Sequence, residues 1–246
     1  MTYSEELDDT RITLNGKQVG GHTTRTVADM LTNLPVLVES VANIPIGCGF
    51  GASGAGALGT AYALNEALCL NLTSAKIIET AHVAEVINRS GLGDVIAQSY
   101  GGVVIRTAPG APEYGKVDWI PVARKEVLCL PLGELDTGSV ISDPDLVWRI
   151  TSMGRGAMKK LMLAPTFETF MQCSRDFAIG TGLASDAIMD IVEAVGSAGG
   201  MASQAMLGES VFAIADPGRR EAVIEALNEF GQPLAYNLND CRAGLL

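Results

Sequence analysis

The rhythm of apolar and polar residues changes several times along the chain, and each rhythm predicts an element. Residues 11–19 alternate around Asn15-Gly16, the pattern of a two-residue hairpin. Val27, Met30, Leu31 and Leu34 then recur at helical spacing, which predicts a short helix capped by Thr26 and ended by Pro35. Residues 36–44 read as a strand that feeds a glycine-rich run, 45–59. Helical patterns follow over 53–69 and, capped by Thr73 or Ser74, up to Asn88. Ser90-Gly91-Leu92-Gly93 breaks the second of these, Asp94 is placed to cap a short helix to Tyr100, and Gly101-Gly102 turns the chain into a strand at 103–106.

The second half begins with a Pro/Gly loop at 108–116, the neighbourhood of a domain boundary, followed by strands at 117–122 and 127–132. Three helical patterns in a row (143–161, 165–179, 185–195) precede a hairpin of 204–207 with 210–215 around Gly208-Glu209. A helix at 217–230 and closing strands at 233–237 and 241–246 complete the reading. No repeat of solenoid length occurs. Because strands and helices do not alternate one for one, the pattern predicts an α+β fold and not a doubly wound sheet.

Composition narrows the function. A chain of 246 residues with 48% hydrophobic and 18% charged residues is globular. Its net charge of −11 is carried without a basic block, which argues against nucleic acid or an anionic membrane as partner. Five dispersed cysteines predict a reducing, cytoplasmic setting and no zinc knuckle, while two histidines exclude a His-rich metal site. The most apolar stretches are too interrupted by Gly and polar residues to span a bilayer. An anionic ligand would therefore be held by local devices such as backbone amides, a metal ion or a single Arg.

The run Pro45-Ile46-Gly47-Cys48-Gly49-Phe50-Gly51-Ala52-Ser53-Gly54-Ala55-Gly56-Ala57-Leu58-Gly59 supplies such a device. Its glycines leave amide N–H groups bare at the start of an Ala/Leu-rich helix, where the helix dipole favours negative charge and phosphate binds. Gly49 to Gly54 spells G-x-G-x-x-G, but Pro45 sits where a central strand should donate hydrogen bonds, and helix follows helix downstream, unlike a dinucleotide fold. A Walker A loop is absent, since no Gly-Lys-Ser/Thr follows. The plain alternative is a glycine-rich lead-in to a buried helix.

Residues 45–55 resemble the P-x-x-x-G-L-G-S-S-A-A phosphate loop of the GHMP kinase superfamily, departing at Phe50, Ala52 and Gly54 in a way that looks like the archaeal pantoate kinase branch. His82-Val83-Ala84-Glu85, residues 91–98, Gly101-Gly102 with Ile105-Arg106 and, more weakly, residues 205–213 extend the match. The resemblance implies a two-lobed α+β fold. Residues 1–123 would form an N-terminal lobe like domain 2 of ribosomal protein S5, its first strands missing, and 124–246 a ferredoxin-like C-terminal lobe. It implies ATP-dependent, Mg²⁺-dependent phosphorylation of pantoate to 4-phosphopantoate in coenzyme A biosynthesis. Alternatives are the same chemistry on another small hydroxy acid or alcohol, or a truncated, non-catalytic homologue. The acidic, Met-rich second half is either a homodimer surface or ordinary core.

Carried over residue by residue, the resemblance implies that Pro45, Gly47, Gly49, Gly51, Ala52, Ser53 and Gly54 bind ATP. Ser53 and Glu85 would hold Mg²⁺, Asp94 would act as base, and His82 and Arg106 would contact substrate. Each has a plainer reading beside it. Ser53 and Asp94 suit helix capping, Glu85 suits a surface ion pair with Arg89, His82 suits a half-buried hydrogen-bonded position, and Arg106 suits a solvated strand end.

Overall fold

The computed structural model describes residues 7–91, 93–135 and 137–245; Leu92 of the glycine motif and Leu246 of the last expected strand lie outside them. The chain divides into two compact units. One takes the described residues up to Pro45, Gly51–Trp119 and the segment from Asp240; the other takes Ile46–Phe50 and Ile120–Asn239.

In the first unit, β1 (Arg11–Leu14) turns at Asn15 and Gly16, both with left-handed φ of 50° and 76°, into β2 (Lys17–Gln18). This is the turn that Asn-Gly favours. On its other edge β1 pairs in parallel with β3 (Leu37–Ser40), so the sheet order is β2-β1-β3. Helix α1 (His22–Leu31) begins four residues before the Thr26 cap expected from sequence, out of a left-handed Gly21. Thr26 instead donates its hydroxyl to the His22 carbonyl at 3.0 Å. The buried face is Thr23, Val27 and Ala28, leaving Met30 and Leu34 exposed, because the small residues of this helix, and not only its large ones, meet the core.

Helices α2 (Ala52–Ala67) and α3 (Ser74–Asn88) pack through Ala57, Ala61, Ala81 and Ala84 with Leu58, Ile77 and Ile78, small side chains that let the two backbones approach closely. Thr73 caps α3 by accepting the Lys76 N–H at 3.3 Å, as its sequence position suggests. The short α4 (Asp94–Tyr100) adds Val95 and Ile96 to the same core. Its N-cap position is Gly93 and carries no side-chain bond, so Asp94 stands inside the first turn and does not cap it. Strands β4 (Val103–Ala108) and β5 (Lys116–Ile120) form a two-stranded sheet.

The second unit is built on a four-stranded sheet of β6 (Glu126–Gly133), β7 (Met201–Gln204), β8 (Glu209–Ile214) and β9 (Leu234–Asn237) in the order β7-β8-β6-β9, every pair antiparallel. Strand, helix, two strands, helix and strand in that order make the ferredoxin-like arrangement. Between β6 and β7 run α5 (Thr137–Ser142), which the sequence pattern did not suggest, α6 (Pro144–Leu163), α7 (Phe167–Thr181) and α8 (Asp186–Ser197). After a 3-10 turn at Pro217–Arg219, α9 (Arg220–Asn228) joins α8 on the sheet, burying Ile188, Ile191, Val195, Val223 and Leu227 against Leu128, Leu130, Val211 and Ala213.

Two expected strands change place. The first hairpin strand ends at Gln204, whose amide donates to the Gly208 carbonyl at 3.0 Å and closes the turn over 205–208. Residues 241–245 form no strand; Ala243 bonds to the end of α4. No helix among the described residues is long and apolar enough to cross a membrane.

Candidate active site

Three helices of the first unit bring polar side chains to one place beside the glycine bend. Gly51 leaves the loop with φ 72° and opens α2, whose first residues are Ala52, Ser53 and Gly54. Gly54 is the point of closest approach. A Cβ there would stand 3.0 Å from the Asp94 Cβ, 3.2 Å from the Val95 nitrogen and 3.3 Å from Glu85 Oε2. Both carboxylates therefore border the bend.

Glu85 is 0% exposed, which rules out the surface ion pair with Arg89. The His82/Glu85 face of α3 is as buried as the Ile77/Ala81/Ala84 face, because α1, α2 and α4 enclose this helix from several sides. Ser53 donates its hydroxyl to Glu85 Oε1, and Ser90 donates to the same oxygen at 3.3 Å. Ser90 in turn shares a 2.9 Å bond with Thr23 of α1. Glu85 Oε2 has no hydrogen-bond partner among the described residues and points where a Gly91 side chain would be, 2.8 Å from the position of its Cβ. Burial pushes the Glu85 carboxyl above its ordinary pKa, and the two serine hydroxyls pull it back.

Asp94 is held at a pKa of about 6, first by burial and then by the Glu85 charge, with Arg106 opposing both. Arg106 lies on β4 with a guanidinium nitrogen 3.2 Å from where a Gly93 Cβ would stand. Burial lowers its pKa while Asp94 raises it, so it is a half-buried cation beside a carboxylate and no solvated strand end. His82 is 8% exposed, its Nδ1 is buried without a hydrogen-bond partner among the described residues, and burial together with the Arg106 charge pushes its pKa down.

Ser53, Gly54, His82, Glu85, Asp94 and Arg106 are thus brought together, with Gly51 and Ala52 at their edge. Pro45, Gly47 and Gly49 fall outside this cluster. Gly47 and Gly49 belong to the second unit, where Gly47 lies beside the Glu134 side chain and Gly49 and Gly208 pack main chain on main chain. Ser210 donates its hydroxyl to the Cys48 carbonyl there. Sequence reasoning read Ser90 and Gly91 as part of a helix break and gave Gln98 no contact, although Gln98 donates to the Gly51 carbonyl at 2.8 Å. The one available signal was their membership of the glycine motif that surrounds Asp94.

A buried carboxylate with one bare oxygen, a hydroxyl on its other oxygen and a helix N-terminus alongside can bind a hard cation and phosphate oxygens together. No group of three or more His, Cys, Asp or Glu side chains that could hold a metal occurs among the described residues. A cation here would depend on its ligand's oxygens and water for the rest of its shell.

Two family descriptions match the chain: GHMP kinases N terminal domain over residues 17–102 and GHMP kinases C terminal over 158–232. The pantoate kinase of Thermococcus kodakarensis is 37% identical over 192 residues, 78% of this chain and 63% of that protein. The pantoate kinase of Methanocaldococcus jannaschii is 36% identical over 198 residues, 80% and 70%. A solved structure described as a phosphotransferase related to the CoA biosynthesis pathway superposes with a TM-score of 0.83 at 32% identity, covering 95% of this chain and 80% of the other. The chain belongs to the GHMP kinase family. It spans 63% to 70% of the length of these two curated relatives.

Proposed function

We propose that this protein is an ATP-dependent kinase that transfers a phosphoryl group to the primary hydroxyl of pantoate, giving 4-phosphopantoate for coenzyme A synthesis. The observation that carries the reading is the meeting of Ser53, Glu85, Asp94 and Arg106 around Gly54, in a chain 36–37% identical to two pantoate kinases.

Phosphoryl transfer asks the protein for positioning and charge neutralisation more than for covalent chemistry. Among the described residues, the backbone N–H groups of Ala52, Ser53 and Gly54, the first of α2, donate no hydrogen bond and can meet phosphate oxygens. The bare Oε2 of Glu85 and the Ser53 hydroxyl fit Mg²⁺, which takes one or two carboxylates and completes its shell with phosphates and water. When bound, Mg²⁺ supplies neutralisation of the phosphate charge.

Asp94 accepts the proton of the substrate hydroxyl as that oxygen bonds to the γ-phosphorus and the bond from γ-phosphorus to the ADP oxygen breaks. A pKa of about 6 keeps it ionised near neutral pH yet basic enough to take the proton. Arg106 can hold the substrate carboxylate with two donors, and His82 can hydrogen-bond a substrate hydroxyl.

Incubation of the purified protein with ATP, Mg²⁺ and pantoate tests this. ADP and phosphopantoate should form only when all three are present. ADP release indifferent to pantoate would remove the substrate assignment, and turnover of homoserine or mevalonate in its place would move the activity to another small alcohol.

A further inference from the structure

The segment that returns to the first unit at Asp240 crosses the end of α4. A Cβ on Gly101, whose φ is 72°, would stand 2.8 Å from main-chain atoms of Asp240 and Cys241, and one on Gly102 would stand 3.0 Å from the Asp240 carboxylate. Ala243 donates its N–H to the Gln98 carbonyl at 3.0 Å and packs on the core of α2, α3 and α4. The Gln98 side chain, from the same turn of α4, donates to the Gly51 carbonyl at 2.8 Å. A Cβ on Gly51 would stand 2.7 Å from Gln98 Nε2 and 3.3 Å from the Asp94 Cβ. Gln98 therefore meets the returning segment through its backbone and the glycine bend through its side chain.

We propose that Gln98 is a positioning residue that fixes the bend at Gly51 against Asp94, and that residues 240–243 act as a strap that sets Gln98. The Gly51 carbonyl heads the first turn of α2 and accepts the Ala55 N–H at 3.0 Å, so holding it fixes the direction in which the N–H groups of Ala52, Ser53 and Gly54 point. Without the Gln98 amide the first turn frays and those N–H groups spread. The inference rests on the kinase reading only for what the bend then binds, namely the phosphates of ATP.

Two full-length variants test it. Gln98→Met keeps volume and helix propensity but removes the donor to Gly51, and Ala243→Pro removes the N–H that bonds the Gln98 carbonyl while leaving the sequence of α4 unchanged. Amide hydrogen exchange of the ligand-free protein should speed up at Ala55, whose N–H bonds the Gly51 carbonyl, by roughly fivefold in Gln98→Met, the order expected from one lost hydrogen bond, and less in Ala243→Pro. MgATP titration should show Kd weakened by a similar factor, with the KM for pantoate changed less than twofold.

Unchanged exchange at Ala55 in Gln98→Met overturns the positioning role whatever the nucleotide does. Unchanged exchange in Ala243→Pro alone overturns the strap. Faster exchange in the variants of a protein whose wild type does not bind MgATP would leave the positioning role standing and remove the kinase reading instead.

Discussion

The two units treat charge in opposite ways. In the first, a carboxylate is fully buried with one oxygen bare, and a second carboxylate and a guanidinium are drawn in beside it. In the second, no charged residue is among the buried side chains described. Its ion pairs, Glu126 with Arg220, Asp176 with Lys160 and Asp216 with Lys125, lie in water-exposed positions. Burying an unpaired charge is costly, so a fold that retains one signals a ligand that completes it. Among the described residues, the second unit buries apolar and uncharged polar side chains, whereas the first also buries a carboxyl group with one oxygen unpartnered.

The sharpest way to break this comparison is Asp94→Asn. Turnover with ATP and pantoate should fall about 10³-fold, the usual worth of a positioned base. Stability should move the other way. Because the folded pKa of about 6 lies above the ordinary 3.8, the protonated form is favoured by folding. The stability linked to Asp94 is full below pH 3.8 and is lost as pH rises through 6. At pH 7.5 the variant should therefore melt higher than wild type by roughly 2–4 °C, and at pH 4 the difference should vanish. A variant that melts lower at both pH values would contradict the account of the site.

Ile191→Ala makes the complementary case in the second unit. The side chain is 0% exposed in the core of α8, α9 and the sheet, and its truncation should cost about 2–5 kcal/mol in a denaturant titration. The pH profile of turnover by the protein that remains folded should not shift.

A smaller effect is expected of that profile itself. In wild type kcat/KM should fall about tenfold for each pH unit below 6 as Asp94 is protonated. A profile flat down to pH 5 would separate Asp94 from the proton transfer.

Smallest of all is Arg220→Ala. It deletes a two-pronged contact with Glu126, at 2.7 and 3.1 Å, from a half-exposed surface where such pairs contribute little. Melting should scarcely move and turnover should be unchanged. A large loss of either would show that the second unit is not held by apolar packing alone.

Much of the fold was legible because local signals agreed with tertiary ones. Asn15-Gly16 demanded a left-handed turn, and Thr73 capped α3. The errors arose where a partner distant in sequence decided the outcome. Residues 241–245 are apolar enough for a strand, yet no sheet edge receives them and α4 does. Met30 and Leu34 fit a helical stripe, but the core takes the Thr23, Val27 and Ala28 side of α1.

The site was legible in its residue types and not in its burial. Glu85 and Arg89 are spaced for a surface pair, and nothing in that spacing reveals that α1, α2 and α4 enclose Glu85. Ser90 read as a helix breaker, because its bonds to Glu85 and Thr23 depend on the packing of α1 against α3.

The chain leaves the first unit after Trp119 and does not come back to it until Asp240. On a ribosome, which releases residues in order, the end of α4 must wait for about half of the chain before residues 240–243 can be laid across Gly101 and Gly102. The end of α4 would thus be covered late, and a nascent chain stalled before Asp240 would carry Ser53, Glu85 and Asp94 with Gly101 and Gly102 still bare.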